Sequence, residues 1–105
     1  MNENRFKETN QFDGKANRGI TLFDFSAEWC APCKAQAQII KNLISLYEDR
    51  VSIIGINVDE HRELAQEHMV QSIPTLIIFK DSKEIKRFVG LQTESTIAKS
   101  LDQVI

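Results

Sequence analysis

The chain has 105 residues with 42% hydrophobic content, which is enough for the core of one domain, so we expect a single domain over residues 1–105. Thirteen Lys and Arg against fifteen Asp and Glu give a net charge of -2, and without a positive field nucleic acid is disfavoured as a partner. No stretch approaches the roughly 18 continuous apolar residues of a membrane span, and residues 1–12 lack the apolar segment of a secretion signal. We therefore expect no membrane partner and a cytoplasmic location.

The first clear element is an apolar run at 20–25, bounded by Gly19, which is typical of a buried strand. Alternation along this strand puts Asp24 on the same face as Leu22, so a carboxyl group is expected among core residues. Residues 1–19 carry few apolar side chains and predict either a short strand and helix or a partly loose segment.

Three-to-four-residue spacing of apolar side chains then predicts an amphipathic helix that begins at the cysteine motif. Its apolar positions are Ala35, Ile39, Ile40, Leu43, Ile44 and Tyr47. A second buried strand is predicted at 51–58, after which Asp59 is placed to cap a short helix that reaches about position 68. Strand, helix and strand in this order predict a right-handed parallel crossover.

Two further strands are predicted at 75–79 and 84–89, and their short connection favours an antiparallel hairpin. Thr93 is placed to cap a last helix, for which we expect an apolar stripe. The stripe consists of Ile97, Leu101, Val104 and Ile105. The order β-α-β-α-β-β-α predicts an α/β fold with a mixed sheet covered by helices.

Both cysteines and the only tryptophan lie within residues 29–33, WCAPC. C-x-x-C spacing serves zinc sites and redox sites alike, so the number of ligands has to decide. A structural zinc ion needs four ligands, and the two histidines, His61 and His68, are separated by six residues rather than the usual three to five. We therefore expect no metal site, and we expect both histidines to be exposed on the short helix without a chemical role.

A redox site agrees better with the surroundings of the cysteines. The pair lies between a strand and the first turn of a helix, where unpaired N–H groups and the helix dipole favour a thiolate. Pro32 suits that turn because it has no N–H to leave unpaired, and its ring holds the bend that brings the sulfurs together. Cys30 is expected to be the exposed nucleophile, and Cys33 the more buried thiol that resolves the mixed disulfide.

Three motifs together, FDFSAEWCAPCK, SIPTLIIFK and FVG, resemble the thioredoxin family over about residues 20–105. The resemblance implies the thioredoxin fold, a central mixed β-sheet with helices on both faces, and reduction of protein disulfides through Cys30 and Cys33. It implies no bound cofactor and a monomer. The implied partners are disulfide-containing substrate proteins and an NADPH-dependent thioredoxin reductase, which is a flavoprotein.

The resemblance also implies that Asp24 is buried and assists proton transfer at Cys33. Burial among apolar neighbours independently predicts a raised pKa for this carboxyl group, which makes it a candidate proton acceptor near neutral pH. The competing interpretation is an aspartate at a sheet edge that faces solvent.

Substrate binding is implied at four further residues. The Ile73–Pro74 peptide matches the family's cis-proline beside the disulfide, where the backbone of Ile73 would pair with an extended substrate segment. Trp29 matches the residue that covers the disulfide, and Gly90 the glycine that lets a substrate chain approach. The competing interpretations are a proline that opens a strand, an indole in the core and a glycine at a strand end.

Four positions depart from the family pattern. Ala31 replaces the usual glycine between the cysteines, at a position that affects the reduction potential of the pair. Gly55 replaces a lysine that many bacterial members place beside the buried aspartate, so the pKa of that aspartate should depend mainly on burial. Gln38 replaces a helix-kinking proline and predicts a straighter helix, and Ser82 replaces a glycine in the hairpin and predicts a locally different turn.

Two alternatives to a reductase use the same residues. One is a domain of this fold that binds a partner while its redox chemistry is incidental. The other is a disulfide oxidase or isomerase that uses the Cys30–Cys33 pair at a higher reduction potential.

Overall fold

The computed structural model of the protein describes residues 6–8 and 19–105. Its elements are β1 (Phe6–Glu8), β2 (Ile20–Ser26), α1 (Ala31–Leu46), β3 (Val51–Asn57), α2 (Arg62–Glu67), β4 (Thr75–Lys80), β5 (Lys83–Val89) and α3 (Glu94–Val104). From β2 onwards, the order is the one predicted from the sequence. The strand β1 agrees with one prediction for the first 19 residues, whereas the helix predicted there lies outside the described residues.

The described strands form one five-stranded sheet in the order β1-β3-β2-β4-β5. Both β1 and β2 run parallel to β3, while β4 is antiparallel to β2 and β5 is antiparallel to β4. The mixed sheet is therefore confirmed. Asp24 lies on the central strand, in register with Gly55 on β3 and with Leu76 on β4.

Apolar side chains cover the sheet on both faces. Alternation along β2 sends Leu22 to the face covered by α1 and α3, and Phe23 to the face covered by α2. The first core contains Ile20, Leu22, Ile40, Leu43, Ile44, Tyr47, Val51, Ile53, Leu76, Ile78, Ile97 and Leu101. The second contains Phe23, Phe25, Ile54, Ile56, Ala65, Ile77 and Phe79. Helices on both faces of the sheet are thus confirmed.

Three residues show how the helices begin. Cys30 is the N-cap of α1, and Thr93 caps α3 by accepting a hydrogen bond from the N–H of Thr96. The cap predicted at Asp59 is wrong, because α2 begins only at Arg62. The side chain of Asn57 accepts hydrogen bonds from the N–H groups of residues 59 and 60, which holds this segment in a turn and delays the helix.

The packing of four residues differs from the sequence-based expectation. Ala35, predicted on the apolar stripe of α1, is exposed, whereas the neighbouring Gln36 is fully buried. Ile105, predicted on the stripe of α3, is half exposed because it lies beyond the last helical turn. The prediction that His68 is exposed is wrong, because its ring packs against three phenylalanines of the α2-side core and is only partly exposed.

The β4–β5 hairpin turns through two residues that both have positive φ, Asp81 at 52° and Ser82 at 71°. Two left-handed central residues are the pattern of a type I′ turn, which matches the twist of the flanking strands and favours glycine. The turn is fastened to the start of β2, because Asp81 exchanges two hydrogen bonds with Gly19, over 2.8 and 2.9 Å. Within residues 6–8 and 19–105, no helix has the length and apolar character needed to cross a membrane.

Candidate active site

Cys30 and Cys33 are joined by a disulfide at the N-terminus of α1, with their Cα atoms 5.2 Å apart. The backbone N–H of Cys33 donates a hydrogen bond of 3.2 Å to the Sγ of Cys30. This N–H is one of the groups at a helix start that have no intrahelical acceptor, so it is free to stabilise negative charge on that sulfur. The helix start therefore favours a thiolate at Cys30 in the reduced protein.

Both cysteines are buried in this oxidised form, Cys30 with 5% and Cys33 with 3% of its surface exposed. The expectation of an exposed Cys30 is therefore wrong for the disulfide state. The reason is the apolar bed around the sulfurs, in which the disulfide packs with Ala27, Val58 and Ile73. An incoming group has to approach from the solvent side of this bed.

Two exposed residues separate the cysteines. Pro32 lies in the first turn of α1, where its missing N–H costs no hydrogen bond, as the sequence predicts. Ala31 precedes it and is also exposed, so its methyl group is at the surface between the two cysteines. Any effect of Ala31 on the pair acts through this exposed linkage and not through the core.

Asp24 is 2% exposed, and its Oδ1 has no hydrogen-bond partner among the residues that the structure describes. Burial raises its pKa from 3.8 to about 7. Among the residues that the structure describes, no positive side chain contributes to this shift, and the residue in register on β3 is Gly55. The predicted dependence on burial is confirmed, and the sheet-edge interpretation of Asp24 is excluded by its place on the central strand.

Trp29 is 71% exposed, which excludes the interpretation as a core indole. Its Nε1–H donates a hydrogen bond of 2.8 Å to Oδ2 of Asp59, in the turn after β3. The sequence predicts Asp59 as a helix cap and gives no sign of its contact with the indole. The structure instead uses this carboxylate to hold the residue that precedes the first cysteine.

The Ile73–Pro74 peptide bond is cis, and Ile73 packs against the apolar bed of the disulfide. The carbonyl of Pro74 accepts a hydrogen bond of 2.8 Å from the N–H of Gly90, which lies just after β5. Gly90 has φ of 96°, a conformation that side chains rarely adopt, so glycine is required for its backbone. The structure thus places Ile73 beside the sulfurs and connects the next residue, Pro74, with Gly90.

A second residue missed by the sequence analysis is Gln36, which is fully buried one helical turn after Cys33. Its side chain bonds both backbone groups of Gln92, in the loop that follows Gly90. The available signal was spacing, because positions 33, 36 and 40 lie on one helix face and Ile40 is also buried.

The described residues contain no group of three or more His, Cys, Asp or Glu side chains that could hold a metal ion. His68, one of the two histidines weighed as zinc ligands, lies in the aromatic core on the other face of the sheet from Asp24.

Comparison with known proteins identifies the family. The thioredoxin family model matches residues 3–103. Curated thioredoxins of Staphylococcus aureus are 41% identical over 92 residues, which cover 88% of this chain and 88% of theirs.

Two solved structures extend the comparison. Mitochondrial thioredoxin 3 of Saccharomyces cerevisiae is 29% identical with a TM-score of 0.77, over 93% of this chain and 92% of its own. A thioredoxin variant from Halobacterium salinarum is 31% identical with a TM-score of 0.75, over 83% of this chain and 75% of its own. The chain therefore belongs to the thioredoxin family, and it is a thiol-disulfide oxidoreductase that reduces protein disulfides through its redox-active C-x-x-C pair.

Proposed function

We propose that Cys30 is the nucleophile and Cys33 the resolving thiol of this reduction. The Cys30 thiolate attacks one sulfur of a substrate disulfide, which forms a mixed disulfide and releases the other sulfur as a thiolate. Cys33 then loses its proton and attacks the Sγ of Cys30, which releases the second substrate thiolate and forms the Cys30–Cys33 disulfide. Two electrons pass from the protein to the substrate. The hydrogen bond from the Cys33 N–H to the Cys30 sulfur supports this assignment of roles.

Asp24 is the proton acceptor for Cys33 in this proposal. Its pKa of about 7 supports the role, because a group that titrates near neutral pH both takes up and releases a proton readily there. Two observations support the same role: Oδ1 of Asp24 has no hydrogen-bond partner within residues 6–8 and 19–105, and Asp24 lies on the sheet face covered by α1, the helix that carries Cys33.

The substrate segment lies in extended form along Ile73, with Gly90 on its other side and Trp29 at the rim. Main-chain pairing of this kind binds many sequences, which suits a reductase of diverse proteins. The clustering of Ile73 with the disulfide supports this path, as does the exposure of Trp29.

The family implies a thioredoxin reductase and substrate proteins in general. We propose more narrowly that a separate NADPH-dependent flavoprotein returns the disulfide to the dithiol. The protein itself acts as a cytoplasmic monomer of one domain, with no organic cofactor or metal bound.

The disulfide at the start of α1 is the observation that carries the proposal, and insulin reduction tests it. Cys30→Ser is expected to abolish activity, and Cys33→Ser to trap substrate as a mixed disulfide that mass spectrometry detects. Ala35→Ser places the same side chain at an exposed position of α1 and should leave activity unchanged. Activity that survives in Cys30→Ser contradicts the mechanism.

The reduction potential is the second quantity to measure, because Ala31 lies between the two cysteines at a position that affects it. Equilibration of the Cys30–Cys33 pair with a dithiothreitol or glutathione buffer gives its value directly. A strongly reducing potential is expected for a reductase, whereas a much higher one would assign the pair to oxidation or isomerisation. A double Cys→Ser variant that still performs the task of the protein in cells would indicate an interaction module.

A further inference from the structure

A carboxamide is fully buried within α1, one turn after Cys33. The Oε1 of Gln36 accepts a hydrogen bond of 2.8 Å from the N–H of Gln92, and its Nε2 donates one of 3.1 Å to the carbonyl of the same residue. A side-chain amide thus pairs with one residue's main chain in the way that two strands pair. A buried amide without hydrogen-bond partners is costly, so these two bonds stabilise the Gln36 side chain and fix its position relative to the main chain of Gln92.

The other end of the same loop is held to the site by its own bonds. The N–H of Gly90 donates to the carbonyl of Pro74 over 2.8 Å, and the Nε2 of Gln92 donates to the carbonyl of Gly90 over 3.2 Å. Residues 90–92 are therefore hydrogen-bonded on one side to Pro74, which follows the Ile73 that packs against the disulfide, and on the other to the helix that carries the disulfide. On the helix side, Gln36 makes two hydrogen bonds to this loop.

Apolar side chains on both sides of Gly90 are exposed to solvent. Val89 is 61% and Leu91 is 49% exposed, and they flank Gly90, which lies beside the proposed path of the substrate chain. A loop that is already held in its binding conformation loses less freedom when a ligand arrives, which improves affinity without any new contact.

We propose that Gln36 is a positioning residue that holds loop 90–92 in shape for polypeptide substrates. It determines how tightly a protein disulfide binds and leaves the thiol exchange itself unchanged. The proposal rests on the proposed substrate path, and it distinguishes between substrates: a small disulfide has no main chain to lie along the loop and gains nothing from its order.

Tyr47, the C-cap of the same helix, offers a matched control. Its side chain is also buried, and its hydroxyl donates to the carbonyl of Ala98 or to Asp102, over 3.2 and 2.7 Å. It thereby connects α1 with α3, but at the opposite end of α1 from the disulfide. Tyr47→Phe removes a buried hydrogen-bonding group of comparable kind without touching loop 90–92.

The experiment compares insulin with 5,5′-dithiobis(2-nitrobenzoate), a small aromatic disulfide. In Gln36→Met, which fills the same space without hydrogen bonds, kcat/KM for insulin is expected to fall about tenfold, mainly through KM, as befits two lost hydrogen bonds. The value for the small disulfide should stay within about twofold, and Tyr47→Phe should leave the ratio of the two substrates at the wild-type level. Amide hydrogen exchange at Gln92 should become faster in Gln36→Met.

A second variant covers the case in which Gln36→Met does not fold. Gln92→Ala keeps the backbone contacts of Gln36 but removes the bond to Gly90, and it should raise the KM for insulin about threefold. An unchanged KM for insulin in the folded variants overturns the proposal, as does an equal loss on both substrates. Wild-type protein that does not reduce insulin would instead refute the proposed function, so the two failures are distinguishable.

Discussion

The indole of Trp29 is hydrogen-bonded to the carboxylate of Asp59, 30 positions further along the chain and in the turn after β3. The bond is 2.8 Å long and lies at the surface, so it does not serve the core. It connects the residue before Cys30 with the turn that follows β3, the strand that pairs with β2. The orientation of the exposed indole therefore depends on a residue outside the WCAPC motif.

Asp59→Ala is expected to release Trp29 while the fold is retained. Trp29 is the only tryptophan, so its fluorescence reports on this site alone: anisotropy should fall and quenching by acrylamide should rise in the oxidised protein. Because the bond is exposed, the free energy of unfolding should fall by less than about 1 kcal/mol. Glu60→Ala removes the adjacent exposed carboxylate as a control, and quenching that is equal in the two variants would contradict the role of Asp59.

Asp24 is expected to make the stability of the oxidised protein depend on pH. Its pKa is about 7 when folded and 3.8 as a free side chain, so between these values the unfolded chain binds fewer protons than the folded one. The contribution of Asp24 to the free energy of unfolding is therefore highest below about pH 4, and it decreases as the pH rises to about 7. The difference of roughly 3 pKa units corresponds to about 4 kcal/mol.

Urea unfolding at pH 5 and pH 8 measures this dependence. Asp24→Asn should be more stable than the wild type at pH 8, with most of the pH dependence lost, because a buried amide is not ionised. Glu63→Gln, at an exposed position of α2, is the control and should keep the wild-type slope. A wild-type slope in Asp24→Asn would show that other groups cause the dependence.

The same variant tests the proposed chemistry. With Asp24→Asn we expect a slower resolving step near neutral pH, seen as longer-lived mixed disulfide, in a protein that remains folded. The defect should diminish at alkaline pH, where Cys33 ionises without an acceptor. Unchanged exchange kinetics at pH 7 would remove Asp24 from the site.

Periodicity predicted most of the fold because it is a local property. The alternation around Asp24 placed the carboxyl group in the core, and the spacing after Cys33 predicted α1. The failures arose where a single side chain competes with a local rule. Asp59 has the side chain of a helix cap, but the Asn57 side chain accepts the hydrogen bonds that hold this segment in a turn. Ala35 is apolar, but the helix face that reaches the core carries Gln36 instead.

The site was predicted only as far as its motifs reach. The cysteine pair and Pro74 belong to contiguous segments, which a sequence displays directly. The contacts of Trp29 with Asp59 and of Gln36 with Gln92 join residues 30 and 56 positions apart, and they depend on which loops the folded sheet brings together. No spacing rule gives such a pairing, since a side chain's distant partner is determined by tertiary packing.

Ser82→Gly is expected to stabilise the protein. Ser82 has φ of 71° in a turn whose two central residues are both left-handed, a conformation that costs an ordinary residue about 1 kcal/mol and glycine almost nothing. The gain is reduced by the greater freedom of glycine in the unfolded chain, so we expect an increase of about 0.5 kcal/mol in the free energy of unfolding. Ser45→Gly, in the interior of α1, should lose stability in the same urea titration, and a loss in Ser82→Gly would mean that the serine side chain outweighs the strain.

His68→Phe is also expected to stabilise the protein, for a different reason. The His68 ring packs between the rings of Phe23, Phe25 and Phe79, with centroids 5.5 to 6.0 Å away. Its Nε2 is buried and has no hydrogen-bond partner among the described residues. Replacing the imidazole with a phenyl ring keeps the aromatic contacts and removes the unpaired polar atom, which should add about 1 kcal/mol.

Thermal unfolding of three variants separates these effects. The midpoint of His68→Phe should rise by about 4 °C, whereas His68→Ala should lose about 2 kcal/mol because it leaves a cavity among the phenylalanines. His61→Phe, at the N-cap of α2 and outside that aromatic cluster, should change the midpoint by little. A lower midpoint in His68→Phe would contradict this prediction, because a satisfied Nε2 or overpacking by the larger phenyl ring would then outweigh the apolar gain.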